Sequence, residues 1–168
     1  KPAVASAAAL VLLALALRSR DQLRYWRDGE ALFRHALEVT ENNYFAHNNL
    51  GAALVEKGQT EEAIRQFQEA IRLRPDEANP HYNLGNALLK KGQTDEAISQ
   101  FQEAARLKPD SATIHYNLGN ALGNKGQTEA AISEFQEAIR LKPAYPEALG
   151  TLAGALDGQG KYAEAIRH

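Results

Sequence analysis

The stretch that decides the fold runs from Asn83 to Pro109 and reads NLGNALLKKGQTDEAISQFQEAARLKP. Its apolar residues fall at three- and four-residue intervals on either side of a short polar break, which is the spacing of two amphipathic helices and not the alternation of a strand. The first helix is expected from about Asn79 to Lys91, with Leu84, Ala87 and Leu88 on one face. Gly92 tolerates left-handed backbone and stops it. Thr94 is expected to cap the next helix, with Asp95 and Glu96 in the first turn where the helix dipole favours negative charge. Ala97, Ile98, Phe101, Ala104, Ala105 and Leu107 form the second helix's buried stripe, and Pro109 closes it.

Working outward, the same stretch returns every 34 residues. Asn49-Leu50-Gly51 becomes Asn83-Leu84-Gly85 and then Asn117-Leu118-Gly119, and Phe67, Phe101 and Phe135 keep the same step. Gly58 to Pro75 and Gly92 to Pro109 differ at four of 18 places, the mark of a recent duplication. One helical hairpin cannot cover its own apolar face, so repeated hairpins must stack into a superhelix with a hollow inner surface. Small residues permit that stacking: Gly85 and Ala97 where the two helices of a hairpin approach, Ala104 where the next hairpin sits. Glu61 with Arg65, Glu69 with Arg72 and Glu137 with Arg140 are expected to pair on a solvated outer face.

Composition narrows the function. The chain has 168 residues, with 19 Lys plus Arg against 21 Asp plus Glu, a formal charge of −2 that offers no field for a nucleic acid. Hydrophobic residues make up 44%, enough for a packed core. The absence of cysteine excludes disulfides, thiolate metal sites and cysteine nucleophiles. His47, His81 and His115 occur once per period and so lie roughly 10 Å apart on stacked helices, too far to share a zinc, and an inter-helix packing role is expected for them. Gly154 to Lys161 brushes a phosphate-loop pattern but has Ala155 in place of a glycine and Tyr162 in place of Ser or Thr. No catalytic constellation, metal site or cofactor is expected. The chain has no methionine and stops inside an amphipathic pattern, so it reads as a piece of a longer protein.

The leucine-glycine pair, an Ala twelve places on, an aromatic four later, an Ala three later and a Pro five later resemble the tetratricopeptide repeat. The resemblance implies an all-α, right-handed solenoid of stacked helix-turn-helix units, with complete units at 44–77, 78–111 and 112–145 and a partial fourth at 146–168. Phe33, Ala36 and Leu37 resemble the second helix of a degenerate half-unit at 25–43, with Gly29 in place of the usual Ala and Glu41 in place of Pro. The fourth unit carries Leu152, Ala153 in place of Gly, and Ala165. No polar capping helix follows it, so its apolar end is expected to be covered by further repeats, by another copy of the chain, or by a larger membrane complex.

Residues 1–24 are a different material. Ala3 to Leu17 holds seven Ala, five Leu, two Val and one Ser, with no charge and no polar face. A helix of that kind is buried all round, in lipid or in protein. Fifteen residues span about 22 Å against a hydrocarbon core of roughly 30 Å, with Lys1, Arg18 and Arg20 able to snorkel. A membrane-spanning helix leads, ahead of a buried first helix of a degenerate repeat and of a signal-peptide core cleaved after Ala14-Leu15-Ala16. On the leading reading Arg18, Arg20, Arg24 and Arg27, interleaved with Tyr25 and Trp26, form an interfacial belt. The junction from this helix through Tyr25-Trp26 and Leu32-Phe33 to Asn48-Asn49-Leu50-Gly51 resembles bacterial membrane proteins in which an O-mannosyltransferase-like domain leads into tetratricopeptide repeats. That resemblance implies an extracytoplasmic array, whereas the Arg cluster argues by the positive-inside rule for the cytoplasm.

The inner surface is the expected working part. On the first helix of each unit Asn49, Asn83 and Asn117 form one row, Asn86 and Asn120 a second, and Asn48, Tyr82 and Tyr116 stand beside them, with Phe45, Asn79 and Thr113 on the rim. An Asn amide both donates and accepts, so it can clasp a peptide bond whatever the side chain. Steps of roughly 10 Å match every third residue of an extended chain rising about 3.3 Å each. Recurrent Asn also follows from duplication alone, with the amides capping neighbouring backbone. Some family members grip a C-terminal carboxylate through Lys and Arg beside those amides; Phe45, Asn48, Asn79, Tyr82, Thr113 and Tyr116 include no cation, which disfavours that mode here. The expectation is a membrane-tethered scaffold that binds a protein or peptide, or else the non-catalytic tail of a membrane glycosyltransferase. Exchanging Asn83 and Asn117 for Ala is expected to weaken capture with melting nearly unchanged.

Overall fold

The computed structural model describes residues 28–158. Eight helices follow one another among the described residues: α1 (Gly29–Val39), α2 (Tyr44–Glu56), α3 (Thr60–Leu73), α4 (Ala78–Lys90), α5 (Thr94–Leu107), α6 (Ala112–Asn124), α7 (Thr128–Leu141) and α8 (Pro146–Gly158). They stack as a solenoid in which α2 with α3, α4 with α5 and α6 with α7 pair as hairpins, each packed on the next. None of these helices is long and apolar enough to cross a membrane, and the segment 3–17 lies outside the described residues.

Each hairpin turns on a glycine in left-handed backbone, with φ of +77° at Gly58, +76° at Gly92 and +79° at Gly126. Gln59, Gln93 and Gln127 then donate their N–H back to the carbonyls of Leu54, Leu88 and Leu122 at 2.9–3.0 Å, closing a Schellman turn. That turn overturns the cap expected of Thr94. The chain re-enters a helix at once, with Gln93 as the flanking residue and Thr94 already helical, and no side-chain cap bond forms. Side-chain caps are found instead at Asp28, which accepts from Glu30 N–H, and Asn43, which accepts from Ala46 N–H.

Inside a hairpin, one contact sets the helix separation. A Cβ built on Gly85 would fall 2.8 Å from Phe101 Cε1, on Gly51 2.5 Å from Phe67 Cε1, and on Gly119 2.6 Å from Phe135 Cε1. The rings lie against bare backbone and are almost wholly buried. Leu50, Leu54, Leu84, Leu118, Leu152 and Leu156 join them in one core that runs the length of the stack. Tyr145 with Ala138 and Ala148 forms a second, smaller cluster beneath the start of α8. The expected stripe on α5 is narrower than its pattern: Ala97, Ile98, Phe101 and Ala104 are buried, Ala105 and Leu107 only half so.

Between hairpins, Lys side chains beside the turns reach back to acids one hairpin earlier. Lys91 pairs with Glu61 at 3.3 Å, Lys125 pairs with Asp95, and Lys57 pairs with Asp28 at 2.6 Å and Glu30 at 2.8 Å. Glu61 is thus tied to Lys91 of the following hairpin, and not to Arg65 as its helical spacing suggested. Glu69–Arg72 and Glu137–Arg140 do pair at 2.6 Å. Hydrogen bonds from Lys57 hold the Asp28 and Glu30 carboxyls below the ordinary carboxylate range. These links matter most at α1, where no residue is fully buried and Phe33 and Leu37 are only partly covered.

The Gly–Phe contact makes a sharp prediction. Gly85→Ala should lower stability by about 1–3 kcal/mol through overpacking, although alanine is the better helix former by about 1 kcal/mol. Trimming the ring with Phe101→Leu in the same chain should recover part of that loss. Urea midpoints of the two single variants and the double variant measure the coupling, and strict additivity would contradict the contact.

Candidate functional site

Helices α2, α4, α6 and α8 lie side by side along one face of the stack. Short side chains bridge them: Asn83 Nδ2 donates to Asn48 Oδ1 at 2.9 Å, and Asn117 Nδ2 donates to the Tyr82 hydroxyl at 3.0 Å, both over an offset of 35 residues. On the opposite face α3 and α5 are parted by an open gap of about 470 Å³ floored by Leu84 and Leu88. From α2 to α6 the helices are close on this side and splayed on the other, which bends the stack so that the first helices carry the hollow face.

The hollow face holds two kinds of amide. Asn49 donates to the Phe45 carbonyl at 2.7 Å and Asn117 to the Thr113 carbonyl at 3.0 Å, each within its own helix. Together with the Asn83–Asn48 and Asn117–Tyr82 bonds, these engage every amide of the first row, Asn83 and Asn117 between helices and Asn49 within its own. Asn86 and Asn120, half-buried and one period apart, have no side-chain hydrogen bond among the described residues. Asn79 is exposed at the rim, as are Thr113 and Phe45.

Tyr82 and Tyr116 are braces as well as surface. Tyr82 packs on Phe101 with ring centroids 6.0 Å apart, and Tyr116 lies 5.9 Å from Phe135 and 5.1 Å from Tyr145. Their rings help fix the spacing of α4 and α6 against the second helices, and each stays half-buried. Desolvation pushes the Tyr145 phenol up in pKa, with a bond to Thr113 partly opposing it.

The three histidines join helices, as their spacing suggested. Nδ1 lies 2.7 Å from Gln66 Oε1 at His47, 2.8 Å from Gln100 Oε1 at His81 and 2.7 Å from Glu134 Oε2 at His115. Nε2 of His81 donates to the Pro75 carbonyl and Nε2 of His115 to the Pro109 carbonyl, each at 3.1 Å, tying one hairpin to the one before. Among the described residues no group of three or more His, Asp or Glu is arranged to hold a metal ion.

The face also continues onto α8, which the sequence reading left out. One period beyond Thr113, Tyr116, Asn117 and Asn120 stand Glu147, Gly150, Thr151 and Gly154. The signal was present in the 34-residue step, although Ala153 in place of the usual glycine obscures it.

Fold and surface together define a helical-repeat interaction module, and the comparisons say which. Residues 51–92 and 85–126 match the TPR repeat family and residues 32–65 and 112–145 the tetratricopeptide repeat family, so the chain belongs to the tetratricopeptide repeat proteins. Among curated proteins it is similar to Protein O-mannosyl-transferase Tmtc3 of Drosophila melanogaster, 36% identical over 72 residues, and to Tmtc2 of the same organism, 43% identical over 70. Those matches cover 43% and 42% of this chain but only 8% and 7% of the two relatives. Among solved structures it is similar to MamA, at 26% identity and a TM-score of 0.76 over 80% of this chain and 79% of MamA. MamA 41-end from Desulfovibrio magneticus RS-1 gives 25% and 0.77 over 91% and 89%. YrrB, a TPR protein with an unusual peptide-binding site, shares the fold at 24% identity and 0.71 over 92% and 78%.

The split between the two amide rows corrects one expectation. Asn83 ties α4 to α2, so its loss is not neutral for melting. Asn83→Ala should cost about 0.5–1.5 kcal/mol, the net value of one hydrogen bond. Asn86→Ala should stay within about 0.5 kcal/mol of the parent, as surface changes do. Matching urea midpoints for the two variants would show that the Asn83–Asn48 bond carries no load.

Proposed function

We propose that this chain is a protein-binding scaffold that holds an extended peptide segment along the hollow face of α2, α4, α6 and α8. The observation that carries the reading is the pair Asn86 and Asn120: two half-buried amides, one period apart, that make no side-chain hydrogen bond among the described residues. A spacing of roughly 10 Å lets them engage peptide bonds about three residues apart in an extended strand. Tyr82 and Tyr116 add flat contact area at low entropic cost. The array is of a non-catalytic kind, needs no cofactor, and by its charge balance takes protein and not nucleic acid.

We further propose that the apolar segment 3–17 tethers the scaffold to a membrane, with Tyr25, Trp26 and the neighbouring arginines at the interface. The support is compositional. A second reading is favoured by the identity to the repeats of the Drosophila O-mannosyl-transferases: the array is the non-catalytic part of a larger membrane glycosyltransferase, presenting protein segments to it.

Two measurements test these readings. Peptides enriched from a random display library on the full chain should bind the Asn86→Ala/Asn120→Ala variant about tenfold more weakly or worse, the loss expected of two hydrogen bonds, with the melting curve retained. Undiminished affinity in the folded variant would overturn the groove. The full chain should float with phospholipid vesicles through a carbonate wash, and deletion of residues 3–17 should leave it in the soluble fraction. Recovery of the full chain in that fraction would overturn the tether.

A further inference from the structure

The hollow face changes along its length. Near the ends of α2 and α4, Val55 and Leu89 fold in against the core. One period further on stands Gly123, and one period after Asn120 stands Gly154. Between α6, α7 and α8 the missing side chains leave an open cavity of about 460 Å³. Ala131, Phe135 and Ala155 form its apolar floor, and Asn120, Asn124, Thr128 and Thr151 its rim.

Neither glycine is required by the fold. A Cβ on Gly123 would meet only Ala131 Cβ, at 3.8 Å, and one on Gly154 would meet nothing within 4 Å, in contrast to Gly51, Gly85 and Gly119. Neither has the positive φ of the turn glycines. Glycine within a helix is destabilising relative to alanine, so α8 is weakened at Gly154 with no return in packing.

We infer that this cavity is the anchor subsite of the groove, taking a leucine- or isoleucine-sized aliphatic side chain from an extended segment of a partner protein. The inference rests on the groove reading above and adds to it a residue class and a place. The shape argument comes from the chain itself: where Gly123 leaves space, the preceding hairpin places Leu89, so a leucine fits between helices of this type. The chemistry agrees. All nine lining residues are uncharged, so an acidic or basic side chain would lose its water without gaining a counter-charge. Asn120 on the rim, whose amide has no hydrogen-bond partner among the described residues, can hold the peptide bond next to the anchor.

The test titrates N-acetyl-leucine-N-methylamide, and its alanine and aspartate counterparts, into the full 15N-labelled chain and follows backbone amide shifts. The leucine probe should move Gly123, Thr151 and Gly154 and bind about tenfold more tightly than the alanine probe, the scale of burying an aliphatic side chain. Gly123→Leu, which restores the side chain of the preceding hairpin, should abolish that response and melt at or above the parent. Gly154→Leu fills the same space from α8 and serves where Gly123→Leu does not fold. Equal response to the leucine and alanine probes, preference for aspartate, or an unchanged leucine response in a folded filled variant would overturn the subsite. Occupation of the cavity by residues 159–168 of the chain would leave Gly123 and Gly154 unmoved in the parent and would overturn it equally. Library-selected peptides separate the two readings: capture that depends on Asn86 and Asn120 but not on an aliphatic residue sinks the subsite alone, whereas capture independent of both amides sinks the groove.

Discussion

The contact of a phenylalanine ring with the bare backbone of a glycine governs this structure. Phe67 on Gly51, Phe101 on Gly85 and Phe135 on Gly119 bring the two helices of each hairpin together through the same close contact. Dense interiors do not deform gradually, so three copies of one contact favour three hairpins of like spacing. Regular hairpins then stack with one repeated offset. Every other regularity follows from that: the Lys-to-acid links between hairpins, the histidines reaching a proline carbonyl one hairpin back, and the row of amides on α2, α4 and α6.

Curvature follows from the lengths of the side chains that cross between hairpins. The first helices are linked by asparagine and tyrosine, which reach only a few ångströms from the backbone. The outer links use arginine and lysine, as in Arg34 with Glu62 and Lys91 with Glu61. Short links on one side and long links on the other make one face hollow. Exposed pairs of this kind contribute at most about 1 kcal/mol each, so the core sets the stability and the links set the shape.

What the sequence made legible was whatever depends on spacing within one hairpin. The 34-residue step, the turn glycines and the place of Gly85 at the close approach of the two helices all lie in a single stretch of residues, although the side chain that fills that approach is Phe101 and not Ala97. What it did not make legible depends on the offset between hairpins. Glu61 has Arg65 one turn away on its own helix, yet Lys91 is the partner, because stacking brings the next turn alongside. Asn83 and Asn86 look alike in sequence. Only the 35-residue offset, which aligns Asn83 with Asn48, shows that the first is engaged, whereas Asn86 makes no side-chain bond among the described residues. The cap assigned to Thr94 failed for a local reason: a Schellman turn leaves too short a connection for a cap residue of its own.

Duplication gives a way to separate framework from function in such a chain. Where packing dictates the residue, the units agree: Leu50, Leu84 and Leu118, then Gly51, Gly85 and Gly119, then Phe67, Phe101 and Phe135. The units disagree on both faces: on the outer helices Arg65 becomes Ser99 and Ser133, and Glu62 and Glu96 become Ala130. On the first helices Phe45, Asn79 and Thr113 differ at one level, Asn48, Tyr82 and Tyr116 at the next, and Val55, Leu89 and Gly123 at a third. These nine are uncharged, and charge enters among the differing first-helix positions only near the helix ends, for instance at Glu56 and Lys90 and at Glu147 in the first turn of α8. That restriction is what a surface meets when its partner is a backbone and an aliphatic side chain, and a solvated outer helix face, rich here in Glu and Arg, meets no such restriction.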